Sequence, residues 1–264
     1  MITVKTLKEK VKTCEKICGT HVSMADPSSC EIIGNLGYDF IWVDMEHSFL
    51  SAKDVFIHAN AARAAGTPII VRVPQHDLTV TKRIMEMGVE GIIFPMIHNA
   101  AEMEEMLSYT LYPPYGQRGF GPQRAIRYGL DNVDTYTGTG HINKICRFIQ
   151  IEHINAVKEI EQIASHPYLD GIFFGPNDLS GSINQLGKVY DTDTTDLIKR
   201  AIKVLKEHGK SIGVSTCSTD LEVLKHWNDL GINMISAGAD YDYVLTSAQN
   251  TLSELHSVQG NNLI

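Results

Sequence analysis

The feature that most constrains this chain is an alternation: eight short apolar runs, each followed by a longer stretch, several of them patterned like an amphipathic helix. The runs are Ile17–Val22, Phe40–Met45, Ile69–Val73, Gly91–Pro95, Arg147–Ile151, Gly171–Phe174, Ser211–Val214 and Met234–Ala237. Their length and their β-branched and aromatic content predict buried strands. Between them, Ala52–Ala65, Thr79–Met87, Ala100–Ser108, Ala156–Ala164, Thr194–His208 and Asp220–Leu230 carry helical periodicity, with Ser, Thr, Asn or Asp at several starts and Gly near several ends. Strands that alternate with helices require crossover connections, and so a parallel sheet covered on both faces.

Eight such units in 264 residues fit an α/β fold of the closed (β/α)8 TIM-barrel type, which takes about 250 residues. The competing open sheet usually has fewer strands, and its glycine fingerprint GxGxxG is absent after the first strand. Residues 1–264 therefore read as a single barrel domain. An additional N-terminal helix, Leu7–Cys14, is placed to plug the barrel floor. The stretch Tyr112–Asn143 breaks the rhythm, being too long for a routine connection and rich in Gly, Pro and Arg.

Composition narrows the partners. With 31 acidic against 23 basic residues and a net charge of −8, the chain lacks the cation excess that nucleic-acid binding draws on. Five cysteines, an odd number without CxxC spacing, predict reduced and mostly buried thiols. The N-terminus has no long apolar signal-like run, and no segment reaches the roughly 18 apolar residues that span a bilayer. These features predict a cytoplasmic protein acting on small molecules.

In a barrel the reactive groups belong at the C-terminal strand ends. There the sequence places Asp44, Glu46 and His47 after the second run, Arg72 in the third, Gln150 and Glu152 in and after the fifth, and Gly175, Pro176, Asn177 and Asp178 after the sixth. Gln150 and Glu152 are two apart and so face the same way. Glu152 and Asp178, from neighbouring strands, need a cation or a shared proton to offset their repulsion. Hard oxygen donors without cysteine favour Mg²⁺ or Mn²⁺, with Co²⁺ or Zn²⁺ also admissible. The alternative reading is structural: Glu152 paired to Arg72, and Asp178 opening a helical turn. Arg72 interrupts an apolar strand and suits a carboxylate or a developing enolate oxygen. His47 is a candidate proton shuttle. No strand run contains lysine, so a Schiff base has no evident nucleophile.

The motifs DMEHSF, VRVP, YPPYGQRGFGP, QIEH and GPNDLSGSI, in this order and spacing, resemble the HpcH/HpaI aldolase family of metal-dependent pyruvate aldolases, over roughly residues 7–252. The resemblance implies that Glu152 and Asp178 are metal ligands and that Arg72 holds the pyruvate enolate. It implies that His47 does acid/base work through a bound water, that Gln150 contacts substrate, and that the backbone of Gly175, Pro176, Asn177 and Asp178 receives the pyruvyl carboxylate. Glu86 stands where the family often has an aspartate paired with the histidine. It lies too far down its helix to reach its own mouth, and on this reading it serves a neighbouring subunit. A homo-oligomer, a hexamer built as a trimer of dimers, is implied too. Arg118 and Arg124 in the long loop are expected to handle the aldehyde half. The implied reaction is retro-aldol cleavage of a 4-hydroxy-2-oxo acid. The alternatives are a citrate-lyase-like acyl-CoA lyase and a catalytically silent 2-oxo-acid-binding protein.

Overall fold

A computed structural model describes residues 5–259. Eight parallel strands close into a barrel in chain order: β1 (Ile17–Val22), β2 (Phe40–Asp44), β3 (Ile69–Arg72), β4 (Gly91–Ile97), β5 (Cys146–Ile151), β6 (Gly171–Phe174), β7 (Ser211–Thr216) and β8 (Met234–Ala239). All eight fall where the apolar runs predict them. β4, β7 and β8 each extend two residues further toward the mouth.

Parity sorts the side chains into two cores. Ile41, Val43, Ile69, Val71, Ile92 and Ile149 point outward and join the surrounding helices in the larger cluster. Phe40, Trp42, Ile70, Ile93, Phe148 and Phe173 point inward and fill the barrel. Trp42 and Phe148 both meet Phe173 edge to face, at 4.8 and 5.3 Å between ring centres; such pairs add about 0.5–1.5 kcal/mol each beyond their buried area. Gly213 makes room for that ring, since a Cβ there would lie 2.3 Å from Phe173. Further along the same inward rows lie Asp44, Arg72, Gln150, Ser215 and His21, so the barrel's filling turns polar at the C-terminal end.

The floor is closed as the sequence predicts. The helix Leu7–Lys12, which starts on a capping box between Thr6 and Glu9, sends Leu7 and Val11 into the inner cluster. Lys8 is buried beside it, its ammonium bonded to the Ile145 carbonyl at 2.8 Å and to the Asp170 carboxylate at 2.6 and 2.7 Å. This buried lysine therefore sits at the end of the barrel away from the mouth.

Two expectations need correction. Two helices lie outside the amphipathic segments named from the sequence, Ser28–Gly34 and the 20-residue Asp240–Gln259, and the segment after β5 divides into Ile154–Lys158 and Ile160–Ala164. Only Cys30 and Cys146 of the five free cysteines are buried, while Cys18 and Cys217 are exposed. The long loop is built of short helical turns between Arg124 and Lys144 around its own small core of Tyr112, Ile126 and Tyr136. Buried Arg147 fastens this loop to β5, donating to the carbonyls of His141 and Ile145 at 3.0 Å and to Thr110 Oγ1 at 2.6 Å.

Candidate active site

A cavity of about 350 Å³ opens at the C-terminal end of the barrel, and His47, Arg72, Gln150, Glu152 and the run Gly175–Asp178 all line it. The residues singled out from strand ends thus converge on one mouth. β2 and β3 pair with Asp44 level with Arg72. Arg72 donates from Nε to Asp44 Oδ1 at 2.9 Å and from Nη2 to Oδ2 at 2.6 Å. Its remaining terminal nitrogen, Nη1, donates to Gln150 Oε1 at 3.2 Å and lies 2.8 Å from Glu46 Oε2. Burial works against the Asp44 carboxylate, but the bonds and charge of Arg72 outweigh it and hold the carboxyl below its ordinary value. Arg72 is therefore paired with Asp44 and Glu46, with Gln150 between it and Glu152.

Glu152 is the most perturbed acid of the mouth. Burial pushes its carboxyl up to about 7; the Met96 N–H bond opposes this, whereas the negative charges of Glu46 and Asp178 add to it. Its Oε2 accepts from Met96 N–H at 2.7 Å and its Oε1 from Gln150 Nε2 at 3.0 Å. Met96 reaches it because β4 bulges between Phe94 and Ile97, where Met96 adopts φ +51°. Gly175 leaves space on the other side, since a Cβ there would lie 2.2 Å from Glu152 Oε1.

Asp178 lies in the first turn of the short helix Pro176–Gly181. Its carboxylate is exposed and, among the described residues, takes no hydrogen bond or ion pair. Gly175 N–H donates to Ile151 at 3.3 Å and Pro176 has no N–H, so the free backbone donors of this turn are those of Asn177 and Asp178. His47 stands on the rim, its side chain 67% exposed and its Nε2 3.7 Å from Glu46 Oε2.

Glu86 and the loop arginines lie elsewhere. Glu86 ends the helix Leu78–Glu86 and does not line the mouth. Its Oε1 accepts from Arg118 Nη2 at 2.7 Å. Arg118 is buried and stacks over Tyr112 at 4.5 Å. Arg124 bonds to Asn60 Oδ1 at 2.6 Å and to the Met87 carbonyl, over the Phe56 ring. The expectation that these arginines face the aldehyde is thus overturned: both are used to dock the long loop on the barrel's flank.

A sequence profile of the HpcH/HpaI aldolase/citrate lyase family matches residues 18–247. The chain belongs to this family. Like other HpcH/HpaI proteins, it is an enzyme of the aldolase/lyase type. It is similar to the hydroxypyruvate/pyruvate aldolase of Paraburkholderia phytofirmans, at 30% identity over 95% of this chain and 97% of that one. It is equally similar, at 30%, to the 2-dehydro-3,6-dideoxy-6-sulfogluconate aldolase of Pseudomonas putida, over 91% and 93% of the two chains. A solved HpcH/HpaI aldolase/citrate lyase family protein from Burkholderia cenocepacia superposes with a TM-score of 0.87 at 28% identity, covering 95% of this chain and 98% of its own.

Several residues of this cavity were not singled out from the sequence: Ser215, Tyr190, Tyr241 and His21, the last left without a role, together with the Met96 amide that bonds Glu152. Inward parity could have flagged His21 and Ser215. No sequence signal marks the bulge at Met96.

Proposed function

We propose that the enzyme cleaves a 4-hydroxy-2-oxo acid reversibly to pyruvate and an aldehyde, with a divalent cation held by Glu152 and Asp178. The observation that carries this reading is the arrangement around Arg72: a guanidinium fixed on Asp44 and adjoining Gln150, with Glu152 beyond it, whose ionisation is opposed by burial and by the charges of Glu46 and Asp178.

The donors suit a hard divalent ion. Glu46, Glu152 and Asp178 crowd negative charge together and Asp178 has no partner among the described residues, while the one cysteine of the lining, Cys217, follows β7 and does not come from the strands that carry these acids. Glu152 and Asp178 would supply two protein ligands, with the other positions left for water and substrate. When bound, such an ion acts as a Lewis acid on the 2-oxo and carboxylate oxygens; Mg²⁺ and Mn²⁺ are the best matched.

The chain's own groups then divide the work. The N–H groups of Asn177 and Asp178 receive the substrate carboxylate, and Arg72 with Gln150 orients the 2-oxo group and carries the charge that develops there. His47, exposed on the rim, takes the proton of the C4 hydroxyl as the C3–C4 bond breaks. The hydroxyl carbon leaves as the aldehyde, the bond electrons pass to the enolate, and a proton returned to C3 completes pyruvate.

A homo-oligomer fits this reading. From Val244 to Gln259 every residue of the last helix is exposed except His256, which is half-buried, and Val244, Leu245, Leu252, Leu255 and Val258 lie along it. In proteins most helical stability comes from packing an apolar face rather than from propensity, and a second copy is the natural candidate to cover this one. Glu86 on the barrel's flank is in keeping with a role toward a neighbouring subunit. An acyl-CoA substrate is less well served, because Arg118 and Arg124 are not free to meet its phosphates.

The test is pyruvate release from a panel of 4-hydroxy-2-oxo acids with Mg²⁺, Mn²⁺ and Co²⁺. The expected result is activity abolished by EDTA and restored by metal. Metal-independent turnover trapped by borohydride would overturn the proposal.

A further inference from the structure

We propose that His21 and Ser215 form a hydrogen-bond relay of fixed polarity that selects an uncharged, hydroxyl-bearing aldehyde as the second half of the substrate. The inference rests on the pyruvate-aldolase reading for the identity of the first half, and it assigns roles to two residues that the proposed reaction leaves unused.

The relay is built from strands β1, β7 and β8 on the side of the mouth away from Arg72 and Glu152. Phe174 pairs with Val214, which puts Ser215 level with Gly175 at the cavity wall. β1 and β8 meet with His21 beside Ala239. His21 Nδ1 lies 3.0 Å from the Gly238 carbonyl, and its Nε2 lies 3.0 Å from Ser215 Oγ. Ser236 Oγ is a more distant neighbour of Nδ1, at 3.4 Å.

These contacts settle where the hydrogens are. A carbonyl oxygen can only accept, so Nδ1 carries the ring hydrogen. In the neutral ring Nε2 is then a bare acceptor, and Ser215 must give its single proton to it. What Ser215 offers the cavity is therefore lone pairs alone. Burial, with the charge of Arg72 adding to it, lowers the His21 pKa to about 4 and keeps the ring neutral near physiological pH.

A wall with this polarity accepts a hydrogen bond from a substrate hydroxyl and meets a carboxylate with lone pairs against lone pairs. The lining reinforces the selection. Its only Lys or Arg is Arg72, already bonded to Asp44, whereas Ser23, Thr216, Tyr190 and Tyr241 are uncharged and polar. A second acidic group on the aldehyde finds no free Lys or Arg in this lining, and a hydroxyl finds an acceptor held in place by a buried ring.

Two measurements test this. In ¹⁵N NMR of the intact protein near neutral pH, His21 should appear as the Nδ1–H tautomer; an Nε2–H tautomer or a charged ring overturns the relay whatever the enzyme's substrate. In pyruvate condensation with Mn²⁺, glycolaldehyde is compared with propanal, which replaces the hydroxyl by a methyl, and with glyoxylate. The wild-type enzyme should favour glycolaldehyde. Ser215→Ala should lower the glycolaldehyde-to-propanal ratio of kcat/KM by about tenfold, mainly through the KM of glycolaldehyde, and Ser215→Thr should recover most of it. A ratio unchanged within about twofold in Ser215→Ala, or a wild-type preference for glyoxylate, overturns the selection. Failure of the wild-type enzyme to exchange the methyl protons of pyruvate with deuterated water would instead sink the pyruvate-aldolase reading, and leave the tautomer result to judge the relay.

Discussion

The guanidinium of Arg72 closes a two-point fork on the carboxylate of Asp44, 2.9 Å from Nε to Oδ1 and 2.6 Å from Nη2 to Oδ2. The two residues are register partners on neighbouring strands, both buried, so the fork fixes the guanidinium plane before substrate arrives. Asp44→Ala should leave a buried cation with less compensation and cost about 3 kcal/mol in urea unfolding. Arg72→Lys keeps the charge and loses the fork, and should raise the KM for the 2-oxo acid by at least about tenfold.

Cation binding should depend on pH through Glu152. Its carboxyl, raised to about 7 by burial first and then by Glu46 and Asp178, must be ionised to hold a metal. Protons and metal therefore compete below that value. Calorimetric titration with Mn²⁺ should show affinity about tenfold weaker at about pH 6 than at about pH 8, and Glu152→Gln should flatten this dependence.

His21 should make the fold sensitive to acid. Its pKa falls from an ordinary 6.5 to about 4 in the folded protein, so between those values the unfolded chain binds more protons and stability decreases as pH falls. The contribution is fully present above about pH 6.5 and should shrink by about 2 kcal/mol between about pH 7 and pH 5. Comparing urea unfolding of the wild type with His21→Phe at both pH values isolates it, because the variant has no group to titrate at that position.

Glu86→Ala separates two roles for one residue. Arg118 is 1% exposed and would lose its carboxylate partner, which should cost about 3 kcal/mol and loosen the loop between Tyr112 and Asn143. Limited proteolysis and thermal unfolding read that effect. If Glu86 also serves a neighbouring site, turnover at a temperature where the variant is fully folded should fall as well, with an altered pH profile.

The apolar face of the helix Asp240–Gln259 should hold the assembly together. Leu252→Glu combined with Leu255→Glu places charge on residues that are exposed in the isolated chain, and so should barely alter the fold of a monomer. Light scattering should show the wild type as an oligomer and the double variant as a smaller species.

The sequence by itself determined the barrel and most of one active face. Eight apolar runs of strand length separated by longer helix-patterned stretches leave a parallel closed sheet as the economical solution. The period of two then puts Gln150 and Glu152 on the same side, and the rule that reactive groups gather at C-terminal strand ends selects Arg72, His47 and Asp178. These inferences need only local periodicity and chain direction. Partnerships across strands needed the tertiary structure, because they depend on register and closure. The sequence left Arg72 open to pairing with Glu152, and register gave it Asp44. It could not place β1 against β8, the contact that brings His21 to Gly238 and Ser215, because those residues are about 200 positions apart along the chain. The family resemblance directed Arg118 and Arg124 toward the aldehyde half. Packing decided otherwise, since Tyr112, Ile126 and Tyr136 bury against each other and the arginines bond to Glu86, Asn60 and Met87. Short-range pattern dictates which residues become strands and which way they face; where a loop lies, and which charges meet, is set by the closure of the barrel.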